Sequence, residues 1–341
     1  MNIKRKFTFR LLLTVLLVIV LAVTAGCGSG GGAPKADDKP IVLKLAHNSA
    51  VDSETDLGAK KVAELVAQKT NNKVTIEVFP ANQLGGNREM VEQTSLGSID
   101  IVISGLATFG FIDEKFDMMQ VPFLFKSQEH MYKVLDSEVG KELQESMLKK
   151  DIYMIDMKWD RLPRQITSKK PIKNINDMKG QIIRAGVKPP IEAFKRMGAK
   201  PTSVPLNEMY LAIQQGVCDG AELPTDYIFN YSIFEVNKYC NMLNHTYGTL
   251  GVGLSTVTKS KLSPDQLKII EESVKEAGAY QNKMLWAKEK EYVDKLAAKG
   301  MVIVKPEDPE QFRKAVHDMI PELETIWPKA KGMAAKIMAV Q

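Results

Sequence analysis

The sequence has little cysteine for its length. Only three cysteines occur in 341 residues, at Cys27, Cys218 and Cys240. A chain this long can bury a core without a disulfide framework. Cys218 and Cys240 lie near apolar runs and are expected to be buried free thiols. A disulfide between them stays open from the sequence alone.

Catalytic and metal-binding motifs are also lacking. The four histidines are far apart in the sequence and form no zinc-binding spacing. They are His47, His130, His245 and His317. No P-loop occurs, no serine stands in a G-x-S-x-G turn, and the G-x-G-x-x-G match at residues 26–31 does not follow a strand. We therefore expect no enzyme, no cofactor and no metal. A nucleophile assembled from distant residues is the alternative.

The excess of positive charge is concentrated in the first 26 residues. The whole chain has 46 basic and 41 acidic residues, a formal net charge of +5. The first 26 residues hold four of the basic residues and no acidic one, which leaves 42 against 41 in the rest. Because no concentrated positive patch follows, we do not expect nucleic-acid binding.

An apolar run near the amino terminus predicts export. Basic residues between positions 4 and 10 precede the run Leu11–Val23, and small residues lead to Cys27 in "VTAGC". This ending resembles a bacterial lipobox. It predicts a lipoprotein signal peptide at 1–26, lipid attachment at Cys27 and a flexible tether at 27–40. An uncleaved membrane anchor is the alternative. Either arrangement holds the protein at the outer face of the cytoplasmic membrane.

Strands and helices alternate in the rest of the chain. The segments 41–46, 74–79 and 99–104 predict strands, whereas 55–70 and 87–96 predict helices. This alternation predicts an α/β fold with parallel strand pairs.

One sequence pattern occurs twice at identical spacing. The pattern is Glu-Met, then six residues, a glycine, two residues and an aspartate. One copy runs from Glu89 to Asp100 and the other from Glu208 to Asp219. Gly97 and Gly216 fit the left-handed position that ends a helix, and each aspartate could hold the following turn through its side chain. The repeat predicts two similarly built lobes.

The stretch "GQIIRAGVKPP" places an arginine directly after an apolar run. Ile182 and Ile183 predict a strand, and Arg184 stands at its end. Ligands of open α/β sheets bind beyond the carboxyl ends of the strands. A guanidinium there presents a planar fork of donors that suits a carboxylate. A surface pair with Asp177 or Glu192 is the alternative role for Arg184.

Several motifs, taken together, resemble those of one family of transport receptors. They are "VFPANQLGGNREM", "VPFLF", "DMKGQIIR", "LNEMYLAIQQGVCDG" and "FEVNKY". In this order, from about Ile41 to about Pro264, they resemble the extracytoplasmic solute receptors of TRAP (tripartite ATP-independent periplasmic) transporters, in the dicarboxylate-receptor (DctP-like) branch. The resemblance implies capture of an organic acid anion and its delivery to a TRAP-type membrane permease. A lipid-tethered sensor for a membrane signalling kinase is the alternative function.

The resemblance also implies the fold. It implies a two-lobed type II periplasmic-binding-protein fold, with a ligand cleft between the lobes and a long helix spanning both. Residues 264–300 have few breaks and an apolar stripe, and they predict that helix, or two in tandem. We expect lobe I at 41–161 and about 249–288, and lobe II at 162–248 and about 289–341.

The resemblance further implies ligand-binding residues. The family arginine that grips the ligand carboxylate matches Arg184. A second family arginine matches Arg164 in "PRQITS", but Arg161 is three residues away and could take that role. Trp159 matches a family aromatic and is either a pocket wall or a core residue. His47 follows the first strand and is a candidate contact.

Other candidate contacts and departures from the family pattern bear on the ligand. Tyr210 and Phe229 could line the pocket, although the helical spacing of Tyr210 favours the core. Leu223 replaces a family asparagine that contacts the ligand, and a polar contact near Val187 is also lost. These changes predict a drier pocket for a 2-oxo acid or an aromatic carboxylate rather than a sugar acid, with a C4-dicarboxylate as the alternative. Lys188 could add positive charge, although a solvated side chain is the simpler expectation.

Overall fold

The computed structural model describes residues 40–341. The predicted signal peptide, the lipid attachment at Cys27 and the predicted tether up to Lys39 lie outside the described residues. Within residues 40–341, every helix is too short or too polar to cross a lipid bilayer.

Strands and helices alternate along the described residues, as expected. In chain order the strands are β1 Ile41–His47, β2 Val74–Phe79, β3 Ile101–Gly105, β4 Ile152–Ser168, β5 Ile183–Ala185, β6 Thr202–Ser203, β7 Gly220–Pro224, β8 Tyr239–Ser255 and β9 Val302–Val304. The helices are α1 Glu54–Lys69, α2 Asn87–Ser95, α3 Gln128–Asp136, α4 Glu138–Leu148, α5 Lys188–Arg196, α6 Met209–Gln214, α7 Thr225–Asn230, α8 Thr256–Lys259, α9 Pro264–Ala298, α10 Pro309–His317, α11 Ile320–Ile326 and α12 Met333–Ala339. Short 3-10 helices connect several of them, at Leu106–Phe111, Glu114–Gln120, Ile175–Met178, Leu206–Glu208, Ile233–Glu235 and Pro328–Ala330.

One mixed sheet joins the strands of the described part of the chain. Its order is β2-β1-β3-β8-β4-β7-β5-β6, and β9 pairs with β8. The predicted parallel pairs are confirmed, because β1 runs parallel to both β2 and β3. The strands β5, β6 and β7 also pair in parallel.

The two long strands β4 and β8 divide this sheet into halves. They are antiparallel to each other, and each is 17 residues long. Residues Leu250–Leu254 of β8 pair with β3, whereas residues Arg164–Ile166 of β4 pair with β7. The β4–β8 register is irregular between Arg161 and Arg164. We refer to the β1–β3 side as the first half and the β5–β7 side as the second half of the sheet.

A single long helix spans the two halves of the sheet, which resolves the choice between one helix and two. Helix α9 begins with a capping box at Ser263 and Gln266 and has proline in its first turn, two strong start signals. It ends before Gly300, whose φ is +90°. The helix packs on α1 of the first half, on the dividing strand β4 and on α7 of the second half.

The repeated pattern forms equivalent structures in the two halves. Gly97 and Gly216 have φ of +80° and +77°, as expected for helix ends. The aspartates do not hold their own turns by the side chain as expected. Instead, Asp100 accepts a hydrogen bond from the backbone N–H of Lys44 at 2.8 Å, and Asp219 accepts one from Ile182 at 2.9 Å. Each carboxylate therefore ties its strand to the neighbouring parallel strand.

The interior holds the two predicted buried thiols and Trp159, whose place in the core or the pocket wall the sequence left open. Cys218 and Cys240 are both buried and free, so they form no disulfide with each other. Trp159 is wholly buried in an apolar cluster between β4, α1 and α9.

Candidate functional site

A small cavity lies where the two halves of the sheet meet. It encloses about 30 Å³. Asn48, Gly105, Gly186 and Leu223 line it, and they lie at or just after the carboxyl ends of β1, β3, β5 and β7. This is the position at which open α/β sheets bind ligands.

Arg184 contributes a buried guanidinium to this cavity. Its strand β5 lies between β6 and β7, and the residue is only 3% exposed. Its Nε donates a hydrogen bond to the carbonyl oxygen of Val204 at 2.8 Å. A Cβ at Gly186 would lie 2.9 Å from its Nη2, so the glycine leaves room for the guanidinium. The apolar run is followed by Arg184 because the carboxyl end of β5 faces the cavity.

The surface-pair alternative for Arg184 is wrong. The carboxylate of Asp177 accepts hydrogen bonds from the backbone N–H groups of Lys173 and Asn174. The carboxylate of Glu192 pairs with Lys195 at 2.8 Å. Within residues 40–341 neither carboxylate forms an ion pair or a hydrogen bond with Arg184, which lines the cavity instead.

Arg164 also lines the cavity, but its charge is already balanced. Its Nε forms an ion pair with the buried carboxylate of Glu222, and its Nη2 donates to the carbonyl oxygen of Glu222 at 3.0 Å. Gln120 donates to the same carboxylate at 3.2 Å. One nitrogen of Arg164, Nη1, has no partner among the described residues.

Arg161 is a third guanidinium in the cavity. It lies over the ring of Tyr227, with 5.4 Å between its Cζ and the ring centroid. Its Nε is buried without a hydrogen-bond partner in the described part of the chain. A Cβ at Gly105 would lie 2.7 Å from its Nη1. The sequence left Arg161 and Arg164 as alternatives, and the structure brings both to the cavity.

Burial and charge shift the pKa values of these groups. Burial lowers the pKa of Arg184 to about 10, with Glu222 opposing the shift and Arg164 adding to it. Burial alone would raise the pKa of Glu222, but Arg164 reverses the shift and lowers it to about 2. Burial and Arg164 also lower the pKa of Arg161. At neutral pH Arg184 therefore remains a cation and Glu222 a carboxylate.

Amide and hydroxyl groups from the first half of the sheet complete the lining. Asn48, Asn87, Thr108 and Gln120 face the same space as the arginines. The expectation of a drier pocket does not hold for the cavity as a whole, although Leu223 and Val187 do line it. The three amides follow β1 (Asn48), begin α2 (Asn87) and end a 3-10 helix (Gln120), and these positions carry no periodic signal by which the sequence could have revealed them.

Four predicted contacts do not line the cavity, which corrects the sequence-based set. They are Trp159, His47, Tyr210 and Phe229. The indole of Trp159 fits against Gly58 and Gly278, where it is fully enclosed. His47 is buried, and its Nε2 is 3.2 Å from the carboxylate of Asp56.

The two predicted aromatic contacts belong to the second half of the sheet. Tyr210 donates its hydroxyl to Glu235 at 2.8 Å on the surface. Phe229 packs against the rings of Phe234 and Tyr292. Both rings are partly buried against the apolar cluster of the second half, and for Tyr210 this is the core alternative that its helical spacing allowed.

A second cavity adjoins the first and shares Arg184 with it. It encloses about 190 Å³, and Asn87, Gly186 and Leu206 also line both spaces. Its outer wall includes Phe111 and Pro205. A ligand held at Arg184 could therefore extend a chain toward this side.

Lys188 stands outside the arginine cluster. Its side chain is 55% exposed, and its Nζ lies 3.7 Å from the buried carboxylate of Asp117. It is therefore mostly solvated, as the simpler expectation had it.

Known proteins with the same architecture are transport receptors. The chain matches the family described as "Bacterial extracellular solute-binding protein, family 7" (DctP) over residues 45–325. The C4-dicarboxylate-binding periplasmic protein DctP of Rhodobacter capsulatus is 31% identical over 72% of this chain and 74% of its own. The 2,3-diketo-L-gulonate-binding periplasmic protein YiaO of Escherichia coli K12 is 28% identical over 82% of this chain and 86% of its own.

Solved structures agree with the sequence relatives. A TRAP periplasmic solute-binding protein of Sulfurospirillum deleyianum with bound succinate superposes with a TM-score of 0.82 and 29% identity, over 89% of this chain and 100% of that one. The two-lobed α/β fold with its spanning helix is thereby confirmed. The chain belongs to the bacterial extracellular solute-binding protein family 7, the family of TRAP solute receptors.

Proposed function

We propose that this protein captures a small organic acid anion outside the cytoplasm and delivers it to a TRAP-type membrane permease. The observation that carries the proposal is Arg184, a nearly buried guanidinium of which only the Nε is hydrogen-bonded within residues 40–341. A charged group is costly to bury without a partner. A ligand carboxylate would supply that partner through bidentate hydrogen bonds.

The relatives support an acid as the ligand. Two relatives are named as binding C4-dicarboxylate and 2,3-diketo-L-gulonate, and a similar solved structure holds bound succinate. These relatives are binding proteins, which supports capture rather than chemical conversion. An enzyme on this fold would instead consume the acid that a receptor returns unchanged.

Within this proposal Arg184 holds the ligand carboxylate. Arg164 is the second positive contact, through its unpartnered Nη1. Leu223 and Val187 supply the apolar part of the wall. The lobes are proposed as 41–161 with about 249–288, and 162–248 with about 289–341. They close around the acid by a hinge motion, and the permease recognises the closed state.

A lipid on Cys27 is proposed to hold the receptor at the outer face of the cytoplasmic membrane. The proposal rests on the "VTAGC" ending of the apolar run. Mass spectrometry of the protein extracted from membranes should show a lipidated amino-terminal Cys27. A Cys27→Ser variant should be released from the membrane into the soluble fraction. A membrane kinase gene beside this one, in place of permease genes, would favour the sensor alternative.

Native mass spectrometry followed by denaturation tests the acid-binding role. Protein carried through mild purification should release one small carboxylate. Arg184→Gln should weaken binding of that acid about tenfold to a hundredfold, because a hydrogen bond to a charged group contributes ~1.5–3 kcal/mol. Arg313→Gln is the matched control, since Arg313 is a surface residue paired with Glu310. An Arg184→Gln variant that retains the acid as tightly as Arg313→Gln would contradict the role of Arg184.

A further inference from the structure

The strand β4, which carries Arg161 and Arg164, is irregular on both sides of the stretch Trp159–Arg161. Its register with β8 shifts between Asp156 and Trp159, and it shifts again between Arg161 and Arg164. Such irregularities change the direction in which the neighbouring side chains point, and they are common beside binding sites for that reason. The direction of the two arginines therefore depends on what holds the stretch between the two shifts.

Asp160, in the middle of this stretch, is a buried carboxylate whose hydrogen-bond donors are neutral side chains of two helices. It is only 3% exposed. Its Oδ1 accepts from Gln128 Nε2 at 2.9 Å and from the hydroxyl of Tyr132, both in α3. Its Oδ2 accepts from Trp286 Nε1 of α9 at 2.7 Å. Acceptance at both oxygens is the pattern of an ionised carboxylate.

The backbone of the same stretch is also bound to side chains of α9. The N–H of Asp160 donates to Asn282 Oδ1 at 2.6 Å, and its carbonyl oxygen accepts from Gln281 Nε2 at 3.3 Å. Asn282 Nδ2 donates to the carbonyl oxygen of Lys158 at 2.9 Å. The helices α3 and α9 therefore hold this part of β4 at both its side chain and its main chain.

From this geometry we infer that Asp160 is a positioning residue for acid capture, because its bonds to α3 and α9 fix the direction in which Arg161 and Arg164 enter the cavity. Asp160 itself lines neither of the two cavities. It therefore acts through the arginines and does not touch the acid. A guanidinium must meet a carboxylate in the plane of its fork, so a small turn of the strand weakens that contact. The inference rests on the proposed function, in which Arg164 is the second positive contact.

Asp160→Asn tests the inference with little change in size. Because donors face both carboxylate oxygens, the new amide turns N–H groups toward a donor. Trp286→Phe removes a single donor of α9 and is the milder second variant, which keeps the test open if Asp160→Asn does not fold.

Asp100→Asn is the matched control for a carboxylate that only supports the fold. Asp100 accepts from the backbone N–H of Lys44 and from the hydroxyl of Thr258. It precedes β3, whose opposite end lies at the cavity. This variant should lower stability without moving the arginines.

NMR spectra of the arginine Nε–H groups test the positioning without any ligand. The resonances of Arg161 and Arg164 are assigned from the Arg161→Gln and Arg164→Gln variants. Both resonances should shift in Asp160→Asn, and they should shift less in Trp286→Phe. Asp100→Asn should leave both in place.

Calorimetric titration tests the effect on capture. Succinate, L-gulonate, pyruvate and benzoate are compared, and the acid that binds the wild-type protein most tightly is the probe. Asp160→Asn should weaken its binding about tenfold, the lower bound expected when a hydrogen bond to a charged group is lost. Trp286→Phe should weaken it less, and Asp100→Asn should bind the probe like wild type.

A double-mutant cycle shows whether Asp160 acts through the arginines. Asp160→Asn is combined with Arg161→Gln and, separately, with Arg164→Gln. The cost of Asp160→Asn should fall below about twofold in at least one of these backgrounds, and that background identifies the arginine through which Asp160 acts.

Two sets of results would overturn the inference. Arginine resonances that do not shift in either Asp160→Asn or Trp286→Phe would show that the bonds of Asp160 do not set their position. An affinity loss that persists in both arginine backgrounds, or that Asp100→Asn shares, would show a general effect on the fold. Failure of all four acids to bind wild type would instead count against the proposed function, and the resonances would still decide the positioning role.

Discussion

Three guanidinium groups share one small cavity, which is costly for the protein without its ligand. Like charges repel, and burial takes away the water that would screen them. Glu222 offsets one of the three through its ion pair with Arg164. The lowered pKa values of Arg161 and Arg184 express the remaining cost. Binding of an anion would relieve that cost, and so the same arrangement that weakens the empty protein favours capture.

Asp226 should make stability fall as pH rises toward neutrality. Burial raises the pKa of this carboxyl to about 7, with Arg161 opposing the shift. In the unfolded chain it would ionise near pH 4. Between about pH 4 and 7 the folded state then holds a proton that the unfolded state has lost, so the free energy of unfolding decreases as pH increases. Above pH 7 both states are ionised, and the slope from this group vanishes.

Urea denaturation at pH 4.5, 6 and 7.5 would measure this dependence. Asp226→Asn should flatten it and make the protein more stable than wild type at pH 7.5. Asp117, whose pKa burial also raises to about 7, adds a slope of the same sign. Asp318→Asn, at an exposed position, is the control and should leave the profile unchanged. A wild-type profile that rises from pH 4.5 to 7.5, and that Asp226→Asn does not alter, would contradict the assignment.

The three cavity arginines differ in how far the sequence could predict their positions. Arg184 was predictable, because an apolar run that ends in arginine marks the end of a strand. Side chains alternate along a regular strand, so residues 161 and 164 would point to opposite faces. The irregular register between them brings Arg161 and Arg164 to the same cavity. No pattern in the sequence reveals such an irregularity, and so the choice between them stayed open.

At the scale of elements, two helices enclose Trp159 through glycine. A Cβ on Gly58 in α1 would lie 2.8 Å from the indole, and one on Gly278 in α9 would lie 2.5 Å from its Nε1. Both helices approach β4 closely because these positions lack side chains. The resemblance to the family could not decide whether Trp159 lines the pocket or lies in the core. Gly58 and Gly278 make room for its ring, but a glycine within a helical sequence does not reveal which side chain packs against it.

Gly278→Ala should destabilise the protein by about 1–3 kcal/mol through overpacking. An alanine would normally gain up to ~1 kcal/mol over glycine inside a helix, so a loss identifies the clash with Trp159. In a Trp159→Leu background the same change should become neutral or stabilising. Chemical denaturation of the four proteins in this double-mutant cycle gives the coupling energy. A Gly278→Ala variant as stable as wild type would show that the helix can shift away from the indole.

At the scale of the whole molecule, hydrogen bonds cross between the two halves of the sheet around the cavity. The hydroxyl of Tyr227 meets Ser49 at 2.7 Å, and Gln120 donates to Glu222 at 3.2 Å. These pairs are far apart in the sequence and exist only when the halves are close. The two-lobed architecture could be predicted from the repeat and the alternation of strands and helices. The bridging pairs could not, since they depend on how the halves meet.

The Tyr227 hydroxyl should contribute to closure by bridging the two halves of the sheet. Tyr227→Phe keeps the ring beneath Arg161 but removes the bridge to Ser49. A hydrogen bond contributes about 0.5–1.5 kcal/mol net, so the captured acid should bind about twofold to tenfold more weakly, and X-ray scattering should show contraction only at higher concentrations of that acid. Tyr210→Phe is the control, because that hydroxyl bonds Glu235 within the second half. If both variants bind the acid like wild type, closure does not depend on this bridge. An equal loss in both would point to a general effect on stability.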